Sequence, residues 1–168
     1  DYEFIIGSCH MVRGQEDFYY IDYKKTDPNH LMKLYFEELL EMAEWGKFDV
    51  LGHLTYPLRY IEGEFGIKTD MDKYTPIIEK IFSVLVKNGM GMEINTSGLR
   101  QKIGKALPDE KYVKMYKDMG GEIITVGSDA HRTEDLGKGI AEGIRIAKNC
   151  GFDRIYYYSH RKPVPINI

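Results

Sequence analysis

The stretch ITVGSDAHRTEDLG, residues 124–137, indicates how this chain is built. Its apolar start predicts a short buried strand, and the Gly-Ser-Asp-Ala-His that ends the strand places an acid and an imidazole two residues apart. Residues two apart in an extended chain lie on the same face, so Asp129 and His131 are predicted to project together. An ordinary turn is the alternative, because aspartate also favours turns.

Three earlier segments repeat this pattern of an apolar run that stops at polar side chains. His10 follows the apolar Phe-Ile-Ile near the amino end, and His53 follows Phe-Asp-Val-Leu. Glu93 and Asn95 share one face of the strand predicted in MGMEINTSG. Four successive strands therefore each deliver polar side chains of ligand type at or near their carboxyl ends.

Helical periodicity fills the intervals between these strands. Apolar stripes with turn signals at their ends predict four helices, at about 30–45, 73–87, 109–119 and 136–150. Asp27 or Asn29 is positioned to cap the first helix. Residues 11–29 lack a clean period and are predicted to form a long loop. The tyrosine-rich RIYYYS predicts a fifth strand, and the prolines after it are expected to end regular structure.

This alternation of strand and helix predicts an α/β fold with a parallel sheet, either open or closed into a barrel. In such folds, ligands and catalytic groups gather at the carboxyl ends of the strands. One shared rim is therefore predicted from the polar residues at the strand ends, namely His10, His53, Glu93, Asn95, Asp129 and His131.

Composition narrows the class of protein. The 168 residues, 43% hydrophobic and 29% charged, suit one folded domain. A net charge of −3 gives no long-range electrostatic reason to expect a nucleic-acid partner. Cys9 and Cys150 form no CxxC pair, which favours reduced thiols in a cytoplasm. No apolar run approaches the roughly 20 residues that span a bilayer, so no membrane partner is expected.

Imidazoles and carboxylates at one rim suit a divalent metal such as zinc, manganese or iron. We predict His10, His53, Asp129 and His131 as metal ligands, and Asp129 and His131 also as catalytic residues. Glu93 is predicted as a ligand, a base or a residue that orients a ligand, with the last favoured. A metal-bound water deprotonates near neutral pH and can attack a phosphoryl group, which makes this set chemically coherent.

Other polar residues are candidates for binding a phosphate. Arg100 is predicted to clamp it in bidentate fashion, with a surface arginine as the alternative, while Asn95 and Ser97 offer neutral hydrogen bonds. His160 and Arg161 follow the fifth strand. They either reach the rim or form a solvated basic turn, and the turn is favoured.

Four motifs, IIGSCH, FDVLGHL, MEINTSGLR and ITVGSDAH, together resemble the PHP (polymerase and histidinol phosphatase) superfamily. More narrowly, they resemble the histidinol-phosphate phosphatases of the HisK/HisJ type, as does the closing RIYYYSHRKPVPINI. The resemblance implies a distorted (β/α)7 TIM-like barrel with up to three metals that hydrolyses L-histidinol phosphate in histidine biosynthesis. It implies that His10 and His53 share one metal, that Asp129 binds another and that His131 binds a third.

The resemblance also implies an N-terminal region with an H-x-H strand, further histidines and a bridging glutamate, none of which is in this sequence. Residues 1–168 are therefore predicted to be a single, incomplete PHP domain, the C-terminal part of the barrel, with about five parallel strands and four helices. We expect this segment alone to bind metal weakly and to be inactive or nearly so. Its open barrel edge is expected to favour a homodimer.

Two alternatives keep the same fold. Another PHP phosphoesterase, acting on nucleotides or sugar phosphates, would use the same rim, and the loops at 11–29 and 95–100 would decide between substrates. A non-catalytic PHP domain with an assembly role is the second alternative. A serine or cysteine hydrolase is disfavoured, because Ser128 lacks the G-x-S-x-G elbow and Cys9 lies on the opposite strand face from His10.

Overall fold

The centre of the fold is a sheet of four parallel strands. The computed structural model describes residues 2–168, and the strands are β1 (Ile6–Gly7), β2 (Val50–Leu51), β3 (Gly91–Asn95) and β4 (Ile124–Gly127). They are hydrogen-bonded in the order β1-β2-β3-β4, with every neighbouring pair parallel. The predicted α/β fold with a parallel sheet is confirmed, and within the described residues this sheet is open.

Four α-helices connect or follow these strands, close to where the apolar stripes predict them. They are α1 (Pro28–Trp45), α2 (Thr75–Lys87), α3 (Glu110–Asp118) and α4 (Ile140–Asn149). Asp27, rather than Asn29, caps α1, because its side chain accepts a hydrogen bond of 3.0 Å from the Asn29 amide. Within residues 2–168, no helix has the length and apolar character needed to cross a membrane.

Shorter helical turns lie in the connections. Three are 3₁₀ turns, at Met71–Tyr74, Ser97–Arg100 and Thr133–Asp135. The fourth is a π-helical turn at Arg59–Glu64, which lies between β2 and α2. Hydrophobic periodicity does not predict this π-helical turn.

The apolar core joins the sheet to the buried faces of the helices. Every residue of β3 is buried, as expected for a central parallel strand that is covered on both faces. The core includes Tyr35 and Leu39 of α1 and Phe82 of α2, each completely buried. The carboxyl ends of all four strands therefore lie together at one edge of this packed sheet.

The fifth strand does not join the parallel sheet, so the expectation of five parallel strands was wrong. Instead, β5 (Arg154–Ser159) pairs antiparallel with β6 (Lys162–Asn167). The expectation that prolines end regular structure here was also wrong, since Pro163 and Pro165 lie within β6. Pro163 lies opposite Tyr158, and Pro165 lies opposite Tyr156. In an antiparallel ladder hydrogen-bonded pairs alternate with pairs that are not, and Ser159–Lys162 beside the turn is a hydrogen-bonded pair. The two prolines therefore occupy positions where the ladder needs no N–H.

The turn of this hairpin lies at the amino end of the parallel sheet. His160 and Arg161 have φ of 49° and 62°, the left-handed conformation of a two-residue hairpin turn. Arg161 Nε donates to Asp49 Oδ1 at 2.9 Å, and the other Asp49 oxygen accepts from the Ile5 amide at 2.8 Å. Asp49 and Ile5 precede β2 and β1, so His160 and Arg161 do not reach the rim at the opposite end of the strands.

Replacement of Asp49 is predicted to destabilise the fold. Asp49→Ala removes the acceptor of two hydrogen bonds, one from the Arg161 guanidinium and one from the Ile5 amide. The free energy of unfolding should therefore fall by about 2 kcal/mol. Urea denaturation followed by circular dichroism measures this change. Glu37→Ala, which removes an exposed pair with Lys33, is the control and should cost less than about 0.5 kcal/mol. Equal losses in both variants would contradict the prediction.

Candidate active site

Polar side chains from the ends of all four parallel strands meet at one cavity. Its volume is about 480 Å³. Its lining comprises Ile6, Ser8, His10, His53, Tyr56, Arg59, Tyr60, Glu93, Asn95, Gly127, Asp129 and His131. The structure therefore brings together the six polar residues that the sequence places at strand ends.

Two histidines face each other in this cavity. The Nε2 atoms of His10 and His53 are 3.1 Å apart, and the Tyr56 ring lies 4.8 Å from both imidazoles. With Zn–N bonds of 2.0–2.1 Å, two nitrogens on one tetrahedral zinc lie roughly 3.3 Å apart. The pair thus fits two ligands of a single divalent ion.

His53 is held in the neutral form that a metal ligand requires. Its side chain is buried, and desolvation, followed by the nearby His10 and Arg59, lowers its pKa from 6.5 to about 4. Asp129 acts in the opposite direction but does not compensate for these effects. The His53 Nδ1 atom is buried without a hydrogen-bond partner among the described residues. His10, in contrast, is exposed at the mouth of the cavity.

The Glu93 carboxylate holds one member of this pair, His53, in position. Its Oε2 atom accepts hydrogen bonds from the His53 backbone amide at 3.1 Å and from Asn95 Nδ2 at 3.2 Å. A Cβ at Gly127 would lie only 2.2 Å from the Glu93 Oε1 atom, so a larger residue there would displace this carboxylate. Burial raises the pKa of Glu93 despite these hydrogen bonds. Glu93 therefore orients His53 through its backbone.

Arg59 is the residue of this site that sequence reasoning missed. Its Nη2 atom donates to Ser97 Oγ at 2.7 Å and to Asp129 Oδ2 at 3.1 Å. The guanidinium carbon lies 5.0 Å from the centre of the Tyr56 ring, and Nε is buried without a partner among the described residues. The π-helical turn that presents Arg59 has no periodic signature. The available signal was a basic residue six positions after His53, in the loop that leaves a strand end.

Asp129 and His131 do not project side by side from an extended strand. Asp129 has φ of 49°, a left-handed conformation that turns the chain after β4, so the prediction of an extended pair was wrong. Its carboxylate faces Arg59. His131 Nδ1 lies 3.1 Å from the Asp129 carbonyl oxygen and 3.7 Å from Oδ1, and 81% of its side chain is exposed.

The pKa of Asp129 reflects two opposing effects. Burial acts to raise the pKa of this carboxyl group, but the hydrogen bond and positive charge of Arg59 outweigh it, so the pKa is lowered. Asp129 is therefore ionised at neutral pH. An anionic carboxylate that is already paired with a guanidinium is suited to bind a cation with its remaining oxygen.

Arg100 contacts the backbone next to this carboxylate. Its Nη1 atom donates to the Ser128 carbonyl at 2.7 Å and its Nη2 atom to the Asp129 carbonyl at 2.9 Å. Its Nε atom lies 3.5 Å from Asp135 Oδ1. The guanidinium predicted to clamp a phosphate therefore holds the left-handed turn at Asp129, and it is Arg59 that faces the cavity.

Asn95 and Ser97 are joined to each other as well as to the site. Asn95 Oδ1 accepts from the Ser97 amide at 3.0 Å and from its hydroxyl at 2.6 Å. Because the Ser97 proton goes to Asn95, its oxygen accepts from Arg59. A chain of hydrogen bonds thus runs from Glu93 through Asn95 and Ser97 to Arg59.

The residues of the cavity match part of the coordination shell of a divalent metal. Among residues 2–168, no three His, Cys, Asp or Glu side chains approach closely enough to hold an ion by themselves. His10 and His53 would supply two ligands of the four or more that zinc, manganese or iron takes. The donors thus fit a divalent metal in kind, and they make up part of the ligand set that such an ion would take.

Comparisons with known proteins agree with this architecture. A family model described as PHP domain matches residues 1–97, more than half of the chain. A probable histidinol-phosphatase of Thermotoga maritima is 44% identical over 126 residues, which cover 75% of this chain and 51% of the relative. One of Clostridium acetobutylicum is 24% identical over 160 residues, covering 94% and 61%. The chain thus spans about half to three fifths of the length of these relatives.

A solved structure has the same fold. It is the crystal structure of a histidinol phosphate phosphatase from Lactococcus lactis, complexed with zinc, L-histidinol and phosphate. Its TM-score is 0.75 at 19% sequence identity, and the match covers 97% of this chain and 62% of that one.

The metal-free protein is predicted to lose stability as the pH falls, because His53 takes up a proton more readily in the unfolded state. Because the pKa of His53 is about 4 when folded and near 6.5 when unfolded, the unfolded state binds more protons between these values. Stability is fully present above pH 6.5 and falls towards pH 4, by on the order of 3 kcal/mol from this group.

Denaturation in urea with a chelator, at pH values from 7 to 4, measures this loss. His53→Gln should show a shallower pH dependence than the unchanged protein. His30→Gln, which alters an exposed histidine, should show the original one. The prediction fails if the His53→Gln curve runs parallel to the other two.

Proposed function

The chain belongs to the PHP domain family, and on this basis we propose that it carries part of the active site of a histidinol-phosphatase. The reaction is the hydrolysis of L-histidinol phosphate to L-histidinol and phosphate, in histidine biosynthesis. The observation that supports it best is the convergence of the His10 and His53 Nε2 atoms, 3.1 Å apart, on a cavity that also holds the Arg59–Asp129 pair. The choice of substrate follows the names of the relatives, which are probable histidinol-phosphatases.

The proposed cofactors are divalent metals, up to three in the whole enzyme, with zinc, manganese and iron as candidates. His10 and His53 would hold one ion, and Asp129 and His131 would each contribute to another. When bound, such ions act as Lewis acids that activate water and neutralise charge on the phosphoryl oxygens. Asp129 is suited to this task because Arg59 keeps it ionised.

Arg59 is proposed to bind the phosphate of the substrate. It is the guanidinium that lines the cavity, and its side chain is only 11% exposed, so its charge is little screened by solvent. Its buried Nε lacks an acceptor among the described residues. Ser97 accepts a hydrogen bond from Nη2 of the guanidinium, and Asn95 orients Ser97. Arg100 acts indirectly, by holding the turn that presents Asp129.

His131 is proposed to act at the mouth of the site. When the bond between phosphorus and the ester oxygen breaks, water supplies the new oxygen on phosphate and the leaving alcohol oxygen takes a proton. An exposed imidazole can deliver that proton or, in the metal-bound enzyme, serve as a ligand. Asp129 is less suited to be the proton acceptor, because a carboxylate with a lowered pKa is a weak base.

The setting of the enzyme is part of the proposal. We place it in the cytoplasm, where the free thiols of Cys9 and Cys150 would stay reduced. For residues 1–168 alone, the proposal includes a homodimer along β1, whose outer side pairs with no other strand in residues 2–168 and where Ile6 is 44% exposed. The substrate is a small phosphate ester, and binding of a nucleic acid is not expected.

Metal dependence tests the proposed function. The intact protein, reconstituted with zinc or manganese, should release phosphate from L-histidinol phosphate, and a chelator should abolish this release. His53→Ala in the intact protein should lower kcat/KM by at least about 100-fold, since a buried ligand is lost. Residues 1–168 alone should show under about 1% of the intact rate, because their ligand set is partial. Full, metal-dependent turnover by residues 1–168 alone would refute the last expectation.

Arg59 variants test the phosphate site. Arg59→Met should raise KM for the ester and the inhibition constant of inorganic phosphate by roughly 30-fold or more, as expected for a lost charge-assisted hydrogen bond in a dry site. Arg59→Lys should recover part of the loss, because the charge remains. Arg13→Met alters an exposed arginine and is the control. If phosphate inhibits Arg59→Met as strongly as the unchanged enzyme, Arg59 does not bind phosphate.

A further inference from the structure

The π-helical turn that presents Arg59 to the cavity depends on contacts outside itself. A single helical turn fixes several backbone dihedral angles for few hydrogen bonds, so it is not stable in isolation. Ile61 supplies one anchor, because its side chain is completely buried in the core. The next two residues, Glu62 and Gly63, contact a separate loop. The position of Arg59 is therefore set from both the core and this loop.

The loop consists of residues 96–106, and its two ends are joined. The Asn95 amide donates to the Leu107 carbonyl at 3.2 Å, and the Leu107 amide donates to the Asn95 carbonyl at 2.9 Å. The interior is equally close-packed, since a Cβ at Gly98 would lie only 2.2 Å from the Lys105 carbonyl oxygen. The 96–106 loop is thus a compact unit of the Ω type.

Gly63 brings the turn into direct backbone contact with this loop. A Cβ at residue 63 would lie 3.0 Å from the Ile103 backbone nitrogen and 3.1 Å from the Ile103 Cβ. Non-bonded carbon atoms prefer a separation of about 3.5–4.0 Å, so a larger side chain must push the turn away from the loop. Gly63 therefore sets the spacing between the two segments.

Glu62 ties the turn down with both oxygens of its carboxylate. Its Oε2 atom accepts from Lys105 Nζ at 3.3 Å, and its Oε1 atom accepts from the Thr69 amide at 3.3 Å. The Glu62 and Lys105 side chains are 24% and 36% exposed, whereas those of the neighbouring pair Glu64–Lys102 are 42% and 67% exposed. Because exposed ion pairs contribute little, Glu62 is the acidic residue that fastens the turn.

From these contacts we infer that Glu62 and Gly63 are positioning residues, which fix Arg59 by docking its turn on the 96–106 loop. The same loop carries Ser97, whose hydroxyl accepts from Arg59 Nη2 at 2.7 Å. One compact unit thus holds both the backbone of the turn and the guanidinium. The inference rests on the proposed function in one respect, namely that Arg59 binds phosphate. It makes phosphate affinity depend on two residues that do not line the cavity.

Proton exchange at the Arg59 Nε atom measures this positioning directly. In the intact, zinc-loaded protein the N–H resonance is assigned by its loss in Arg59→Met, and its exchange with water should be slow because the atom is buried. Gly63→Val should speed this exchange about 10-fold and Glu62→Gln about 3-fold, as expected when a local contact opens more often.

The matched control is Glu64→Gln, which alters the exposed pair on the same turn and should leave the exchange rate unchanged. Circular dichroism confirms that each variant is folded, and Glu62→Gln carries the test if Gly63→Val does not fold. Exchange rates in Gly63→Val and Glu62→Gln that equal the rate in Glu64→Gln would overturn the inference.

A double-mutant cycle tests whether Gly63 acts through Arg59. Calorimetric titration of the intact, metal-loaded protein with inorganic phosphate gives the dissociation constant. Gly63→Val should raise this constant about 10-fold, because a displaced guanidinium is no longer aimed at the ligand. In a protein that already carries Arg59→Met, the same change should have no further effect. An equal rise in both backgrounds indicates a general structural role and overturns the inference.

The two measurements separate this inference from the proposed function. If Arg59→Met alone leaves the phosphate dissociation constant unchanged, the proposed phosphate site fails. The exchange rates then decide the inference by themselves, and faster exchange in Gly63→Val and Glu62→Gln still supports it. Conversely, unchanged exchange overturns the inference even if Arg59 is confirmed as a phosphate ligand.

Discussion

The Glu93 carboxylate connects the ends of three of the four parallel strands. It projects from β3, accepts a hydrogen bond from the backbone of His53 beyond β2, and lies against Gly127 at the end of β4. A buried carboxylate is costly unless its oxygens are hydrogen-bonded, and the His53 amide and the Asn95 side chain supply these hydrogen bonds. The position of His53, and with it the histidine pair, therefore depends on a residue that need not touch a metal.

Arg59 influences the protonation of two groups that face the cavity. Its charge and hydrogen bond help to keep Asp129 ionised, and the same charge, after desolvation and His10, disfavours protonation of His53. A cation site needs an anionic carboxylate and a neutral imidazole at the same pH. One guanidinium, buried beside both groups, supports both forms.

The sequence predicts the parts of this fold that local patterns control. Apolar runs and stripes locate the four parallel strands and the four helices, and the polar residue after each strand locates the rim. Three features could not be predicted from the sequence, because contacts between residues far apart in the chain determine them. Arg59 lies in a π-helical turn without a period, Asp129 is turned by contacts with Arg100, and β5 pairs with β6 through prolines that a local rule reads as breakers.

The two histidines differ in a way that bears on how a metal would bind. His53 is buried and held by Glu93, whereas His10 is exposed and its ring has Tyr56 as its other aromatic neighbour. A buried side chain loses more of its conformational freedom on folding than an exposed one does. His53 thus provides the preorganised half of the pair. The affinity for a metal here would then depend on how firmly His10 is held by its contacts with His53 and Tyr56.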